Sequence, residues 1–133
     1  MAARQLSRLT WAVHSVAIKD KVGMELPNGE CAIVPIEKLV DYCLNPTHRV
    51  GSHKAHVFEA ALGLTAADAE ALQQRLLTVA RTENAVVGMR NAYGQRYSVD
   101  FEMTTAVGIV VVRSTWIVLA GGDIPRLTSC YVL

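Results

Sequence analysis

The sequence predicts an α+β fold in which N-terminal helices pack on one face of a four-stranded antiparallel meander sheet. Two observations support this prediction. Apolar residues recur at helical spacing up to Thr82, as Leu72, Leu76 and Val79 do. Beyond Thr82 the period changes to the alternation of a half-buried strand, clearest in residues 97–103, and short turns separate the segments that follow. Helices followed by a run of hairpin-connected strands are typical of this class.

Three helices are expected before the period changes. Pro35 suits the first turn of the first helix, which would end at Asn45-Pro46. Ser52 is a plausible N-cap for the second helix, and Gly63 is a natural C-terminal stop. Residues 65–68 resemble a capping box, so the third helix is expected to follow them.

Four strands are expected after the helices. Residues 85–89 and 96–103 would form the first two. Residues 106–119 are apolar on both faces, which predicts a long central strand, and residues 126–132 would form the last strand. Earlier in the chain, residues 31–34 are either a short strand or an extended lead-in to the first helix.

The chain divides into a basic N-terminal extension, residues 1–23, and one α+β domain, residues 24–133. Its 133 residues are 51% hydrophobic and 19% charged, as in a packed globular protein. The extension holds four basic residues against Asp20, a net charge of +3, which leaves −2 for the domain because the total is +1. Because its net charge is −2, the domain is not a nucleic-acid binder of uniformly basic charge.

The extension is either an upstream segment before an alternative start at Met24 or an amphipathic segment that docks on the domain.

Composition also excludes several other classes of protein. The apolar run 106–112 is bounded by Arg113, so no transmembrane segment is expected. The three cysteines, Cys31, Cys43 and Cys130, show no C-x-x-C spacing and are interpreted as small core residues in a reducing, cytoplasmic protein. No cofactor is implied.

The junction between the first two helices concentrates the groups that chemistry needs. It carries His48, Arg49, His53, Lys54 and His56. Histidine can exchange protons near neutral pH, and lysine can hold an anion such as phosphate. No acidic or cysteine ligand accompanies the three histidines, so no metal site is expected. For His48 the alternative is a structural role in which it caps the turn.

Three arginines, Arg96, Arg113 and Arg126, are predicted on adjacent strands of the sheet. Together they could line a shallow groove for an anionic ligand. The alternative is that they form ion pairs across the sheet. The acidic candidates for such pairs are Asp100, Glu102 and Asp123.

Several motifs in residues 24–133 resemble an uncharacterised family of small bacterial domains. They are Leu26-Pro27-Asn28, Lys38-Leu39-x-x-Tyr42, Leu44-Asn45-Pro46-x-His48-x-x-Gly51-x-x-Lys54-Ala55-x-x-Phe58, Tyr93-Gly94-x-x-Tyr97 and Val112-Arg113-Ser114-Thr115-Trp116. Members of that family occur as stand-alone proteins, often coded beside a small partner, and as C-terminal domains of polymorphic toxins. The chain departs from the family in carrying Arg49 where a proline often follows the motif histidine.

The resemblance implies a metal-independent ribonuclease toxin, similar in its order of elements to the RelE, EndoU and colicin tRNase group. It also implies an RNA substrate, with transfer RNA as one candidate, and a small cognate antitoxin or immunity protein. A homodimer is a further expectation, since the apolar strand 106–112 and the apolar C-terminus suggest burial against another surface. The alternatives are a non-catalytic module that binds a protein or an anion, and an antitoxin or immunity protein.

Metal-free RNA cleavage needs a base for the ribose 2′-hydroxyl, an acid for the 5′-oxygen and cations for the phosphate. His48 is expected to be the base or acid, Lys54 and Arg113 to stabilise the phosphate, and Thr115 to donate a hydrogen bond or orient the histidine. The residues expected to contact RNA or another anion are Arg49, His53, Arg96, Tyr97 and Arg126.

Overall fold

The computed structural model describes residues 24–133, so the predictions about residues 1–23 lie outside the described part. The helices are α1 (Ile36–Lys38), which continues as a π-helical turn (Leu39–Cys43), α2 (Ser52–Leu62) and α3 (Ala69–Thr82), with 3-10 turns at Gly29–Cys31 and Ala66–Asp68. The strands are β1 (Met24–Glu25), β2 (Asn84–Asn91), β3 (Gly94–Thr104), β4 (Ile109–Leu119) and β5 (Pro125–Val132). The α+β fold class is confirmed.

The helix ends follow the local sequence, with one correction. Thr65 and Asp68 form the predicted capping box, and Gly63 ends α2 with φ +73°. Ser52, however, is the first residue of α2, and Gly51 occupies the N-cap position without a side-chain cap. The prediction of a Ser52 N-cap is therefore wrong. The imidazole of His48 accepts the backbone N–H groups of Val50 and Gly51 just before the helix.

Over residues 24–133 the sheet has five strands in the order β1-β2-β3-β4-β5, and the neighbouring strands are antiparallel. The predicted count of four strands is thus too low by one. The additional strand, β1, pairs only Met24 with Ala85 and Glu25 with Asn84, and two residues are too short to show a period in the sequence. Residues 31–34 form no strand, although Ile33 makes one parallel bridge to Arg126.

The expected central strand begins later than predicted, at Ile109. The backbone N–H of Thr105 bonds the carbonyl of Gly108 at 2.9 Å and forms a turn, while the Thr105 hydroxyl donates to the Leu62 carbonyl at 2.8 Å. Residues 106–108 were predicted as part of the strand because the run from residue 106 to 112 is mainly apolar, but they precede β4 in this turn.

The core lies between the helices and one face of the sheet. Phe58 of α2, Leu72 and Leu76 of α3, and Val112 and Trp116 of β4 have no exposed surface. The other face of the sheet carries polar side chains, such as Arg96, Ser98 and Arg113, beside exposed apolar ones, such as Ile109 and Val111. The sites described below lie on this face and where residues 35–48 meet β5. Among residues 24–133, no helix is both long and apolar enough to cross a membrane.

Candidate functional site

His48 lies in the turn between the π-helical segment and α2. Its Nδ1 accepts hydrogen bonds from the backbone N–H of Val50 at 2.9 Å and of Gly51 at 2.8 Å. The ring meets the Tyr42 ring edge to face, with 4.9 Å between centroids. Because the Nδ1 lone pair is occupied by two donors, the neutral ring carries its proton on Nε2. His48 therefore caps the turn and can offer Nε2–H to a ligand.

Lys54 connects α2 to the π-helical segment and to the edge strand β5. Its Nζ donates to the Tyr42 hydroxyl at 2.7 Å and to the Ser129 hydroxyl at 3.1 Å. The same ammonium lies 4.7 Å from the centroid of the Tyr42 ring and 5.3 Å from that of Tyr131. Since Tyr42 accepts from Lys54, its own hydroxyl proton remains available to a further acceptor.

An open hollow of about 360 Å³ lies where this turn meets β5. It is lined by Pro35, Glu37, Lys38, Asp41, Tyr42, His48 and Arg126. The structure thus brings together two of the sequence-predicted residues, His48 and Arg126, which are far apart in the chain. We call this site the histidine hollow.

Four residues with polar side chains that line the histidine hollow were not predicted as site residues from the sequence. Glu37, Lys38 and Asp41 fit the solvated face of an amphipathic helix, and Tyr42 carried no role beyond its place in a family motif. One signal could have found them. Residues 37 and 38 lie one turn before 41 and 42, so all four share the helical surface that leads into the histidine-bearing turn.

The charges in the histidine hollow are balanced. Glu37 and Asp41 contribute carboxylates, while Lys38 and Arg126 contribute cations. Within residues 24–133, none of these four side chains takes part in an ion pair. The hollow therefore presents unpaired proton acceptors beside unpaired cations, which is the combination that acid–base chemistry on an anionic substrate requires.

Arg113 lies outside the histidine hollow, on the exposed face of the sheet. Its Nε and Nη2 bond the two carboxylate oxygens of Asp100, each at 2.8 Å, and the two residues are paired in register. Asp100, through this hydrogen bond and its charge, raises the pKa of Arg113, and Tyr131 adds to the effect. The cross-sheet ion pair considered as the alternative is thus present for Arg113.

Replacing Asp100 with asparagine should lower the free energy of unfolding by about 0.5–1 kcal/mol, because a half-exposed ion pair contributes little even with two hydrogen bonds. Urea unfolding at low salt would measure this. The Glu102→Gln variant is the control, since the Glu102 side chain takes part in no ion pair among residues 24–133. The difference between the variants should shrink in 1 M salt, and a cost of several kcal/mol would contradict this view of the pair.

Thr115, Arg96 and Tyr97 share a second concavity, of about 260 Å³, which we call the arginine groove. The remaining lining residues are Gly88, Ser98, Trp116 and Thr128. The Thr115 hydroxyl lies 2.7 Å from that of Thr128 and 3.3 Å from the Ser129 carbonyl. Thr115 therefore does not contact His48, and the expected orienting role has no geometric support here.

Arg49 and His53 are both exposed. Arg49 follows His48 in the turn and His53 lies in the first turn of α2, but neither lines the histidine hollow or the arginine groove. Among residues 24–133, no group of three or more histidine, cysteine or acidic side chains is placed to hold a metal ion.

Two buried thiols, those of Cys43 and Cys130, lie near enough to Lys54 to be affected by its charge. The hydrogen bond from Cys130, helped by Ser129 and the Lys54 charge, lowers the pKa of Cys43 to about 7 despite its burial. The same hydrogen bond, together with burial, raises the pKa of the Cys130 thiol. Cys31 is exposed, so its interpretation as a core residue is wrong, because it ends a 3-10 turn at the surface.

Comparison with known proteins places the domain in a family. No curated protein matches the sequence significantly. A family model described as a domain of unknown function, DUF6883, matches residues 25–133, which cover most of the chain. The chain therefore belongs to the DUF6883 family.

Proposed function

We propose that this chain is a metal-independent ribonuclease of the kind that acts in bacterial toxin–antitoxin and polymorphic-toxin systems. The observation that carries the proposal is the histidine hollow. Its lining brings two carboxylate side chains, two cations, Tyr42 and His48 together around one open space.

In such a reaction the ribose 2′-oxygen forms a bond to phosphorus, and the bond from phosphorus to the 5′-oxygen breaks. A base removes the 2′-hydroxyl proton, and an acid gives a proton to the departing 5′-oxygen. Cations stabilise the charge that develops on the phosphate oxygens. The products are a 2′,3′-cyclic phosphate and a new 5′-hydroxyl.

The occupied Nδ1 of His48 favours a carboxylate as the base. Protonation of Nδ1 would displace the two backbone N–H groups that it accepts, so His48 serves better as a donor to a phosphate oxygen through Nε2–H. Glu37 or Asp41 would take the 2′ proton. Tyr42 would give its hydroxyl proton to the 5′-oxygen, because the ammonium of Lys54 at 2.7 Å stabilises the phenolate that forms.

A toxin of this group would act on cellular RNA in the cytoplasm, with transfer RNA as one candidate, and a small cognate antitoxin or immunity protein would neutralise it. The RelE- or EndoU-like arrangement of helices and sheet is part of the same proposal. So is a homodimer, for which the exposed apolar residues Ile109, Val111 and Leu133 at one end of the sheet offer a surface.

The full chain should cleave RNA in the presence of EDTA and leave 2′,3′-cyclic phosphate ends. His48→Ala should lower the cleavage rate about 10- to 100-fold through loss of one neutral hydrogen-bond donor. The base is tested by Glu37→Gln and Asp41→Asn, and the variant that removes the base should lower the rate about 100-fold. His56→Ala is the matched control, because His56 is exposed on α2 outside the histidine hollow.

Product ends and rates would be read on end-labelled RNA, and circular dichroism would show that each variant is folded. RNA that stays intact with the unmodified chain would overturn the proposal, as would cleavage that also occurs when the 2′-hydroxyl is replaced by hydrogen.

The full engagement of Nδ1 in the turn favours a second candidate, a non-catalytic module that binds an anion or a protein partner. In that case the unmodified chain would bind its partner without cleaving RNA. His48→Ala would then change the stability of the turn more than any activity.

A further inference from the structure

We infer that the arginine groove holds a second phosphate of the same substrate, so that a short single strand of RNA lies across β5, β4 and β3 from the histidine hollow to Arg96. This inference rests on the proposed function. It adds to that function the class of substrate, single-stranded rather than duplex RNA, and a binding site away from the reacting bond.

The first support is the supply of unused donors in the arginine groove. Arg96 and Ser98 are half-buried, and no side-chain hydrogen bond or ion pair engages either of them within residues 24–133. The Thr115 hydroxyl lies 2.7 Å from that of Thr128 and donates to the Ser129 carbonyl at 3.3 Å, so these two hydroxyls are already engaged and the unused donors are those of Arg96 and Ser98. Within residues 24–133, no carboxylate lines the groove, so an anion would meet the guanidinium of Arg96 and the hydroxyl of Ser98 without a repelling charge.

The second support is the position of Arg126 between the two sites. Arg96 pairs with Ile117 across β3 and β4, and Ile117 pairs with Arg126 across β4 and β5. Directly paired residues share a face of the sheet, and two strand spacings separate the arginines by about 10 Å at their backbones. Since Arg126 also lines the histidine hollow, one row of residues leads from the hollow towards Arg96.

The third support is the distribution of charge. Residues 24–133 carry a net charge of −2, which disfavours the many phosphate contacts that a duplex requires. Lys38 and Arg126 nevertheless line the hollow, and Arg96 lines the groove two strands away, so cations lie at both ends of the row. Few contacts along one line suit a single strand of about four nucleotides, the low end of the site sizes of single-strand-binding domains.

The test is binding of a non-cleavable ligand to the full chain. A fluorescently labelled 2′-O-methyl oligonucleotide of about eight nucleotides, longer than the expected site, would be titrated by anisotropy over a range of salt concentrations. Arg96→Gln should weaken binding about tenfold at low salt and reduce the slope of log K against log salt by about 0.7, the value for one phosphate on a single strand. Arg81→Gln is the control, since Arg81 is exposed at the end of α3 away from both sites.

The outcomes separate this inference from the proposed function, because the ligand cannot be cleaved. Binding that depends on Arg96 in a protein that leaves RNA intact would support the second site and overturn the ribonuclease. Cleavage with binding that is equal in the Arg96→Gln and Arg81→Gln variants would overturn the second site alone. Binding of a duplex as tight as that of the single strand, or no binding at all, would also overturn the inference.

Discussion

Trp116→Ala should lower the free energy of unfolding by about 3–5 kcal/mol, the usual cost of truncating a buried tryptophan to alanine. Trp116 has no exposed surface and lies in β4, the strand that pairs with both β3 and β5. Natural domains are stable by about 5–15 kcal/mol, so this loss would leave the variant marginal or unfolded at 25 °C. Urea unfolding followed by circular dichroism would measure it.

A hydrogen bond makes Trp116→Phe the informative control. The indole Nε1–H donates to the Ser114 hydroxyl at 2.9 Å, and that hydroxyl donates in turn to the Val99 carbonyl at 2.8 Å. Phenylalanine retains most of the apolar contact but removes the indole donor, so we expect a loss of about 1–2 kcal/mol. If alanine and phenylalanine cost the same, Trp116 does not stabilise the core in the way its burial indicates.

The local sequence predicted the elements whose signals are short-range. The capping box at Thr65 and Asp68 and the glycine stop at Gly63 depend on a few neighbouring residues, and both are present. β1 could not be predicted, because its two residues form a strand only by pairing with Asn84 and Ala85, which are distant in the sequence. The start of β4 was also missed, since the turn before it makes a contact that is distant in sequence, from the Thr105 hydroxyl to the Leu62 carbonyl.

Only part of the candidate site could be predicted, because some of its residues are brought together by contacts that are distant in the sequence. The concentration of histidines marked the turn at His48, but only the tertiary fold brings Arg126 of β5 beside that turn. Arg113 was expected near His48, yet strand register places it opposite Asp100, and the two opposite charges pair there. The hydrogen bond between Lys54 and Tyr42 was not predicted, because it depends on Lys54 reaching back from the next helix.

Under the proposed ribonuclease function, Lys54→Met should reduce RNA cleavage about 100- to 1,000-fold, the range found when one preorganised donor to a developing negative charge is removed. Lys54 donates to Tyr42 at 2.7 Å and to Ser129 at 3.1 Å, so it both orients the tyrosine and supplies positive charge behind it. Methionine keeps most of the side-chain volume but carries no charge. Without the ammonium, a phenolate formed on Tyr42 as it protonates the 5′-oxygen would lose its nearest cation.

The Lys38→Met variant separates this role from a general effect of positive charge. Lys38 also lines the histidine hollow, but its Nζ lies 5.8 Å from the centroid of the Tyr42 ring and donates no hydrogen bond to Tyr42. Loss of the Lys38 charge should lower kcat/KM only a few-fold, mainly through a higher KM. Tyr42→Phe should match Lys54→Met in kcat, and the double variant should be little slower than either single variant, because the two residues act as a unit. Single-variant losses that instead multiply in the double variant would show that Lys54 acts on the phosphate directly and that Tyr42 is not its acid partner.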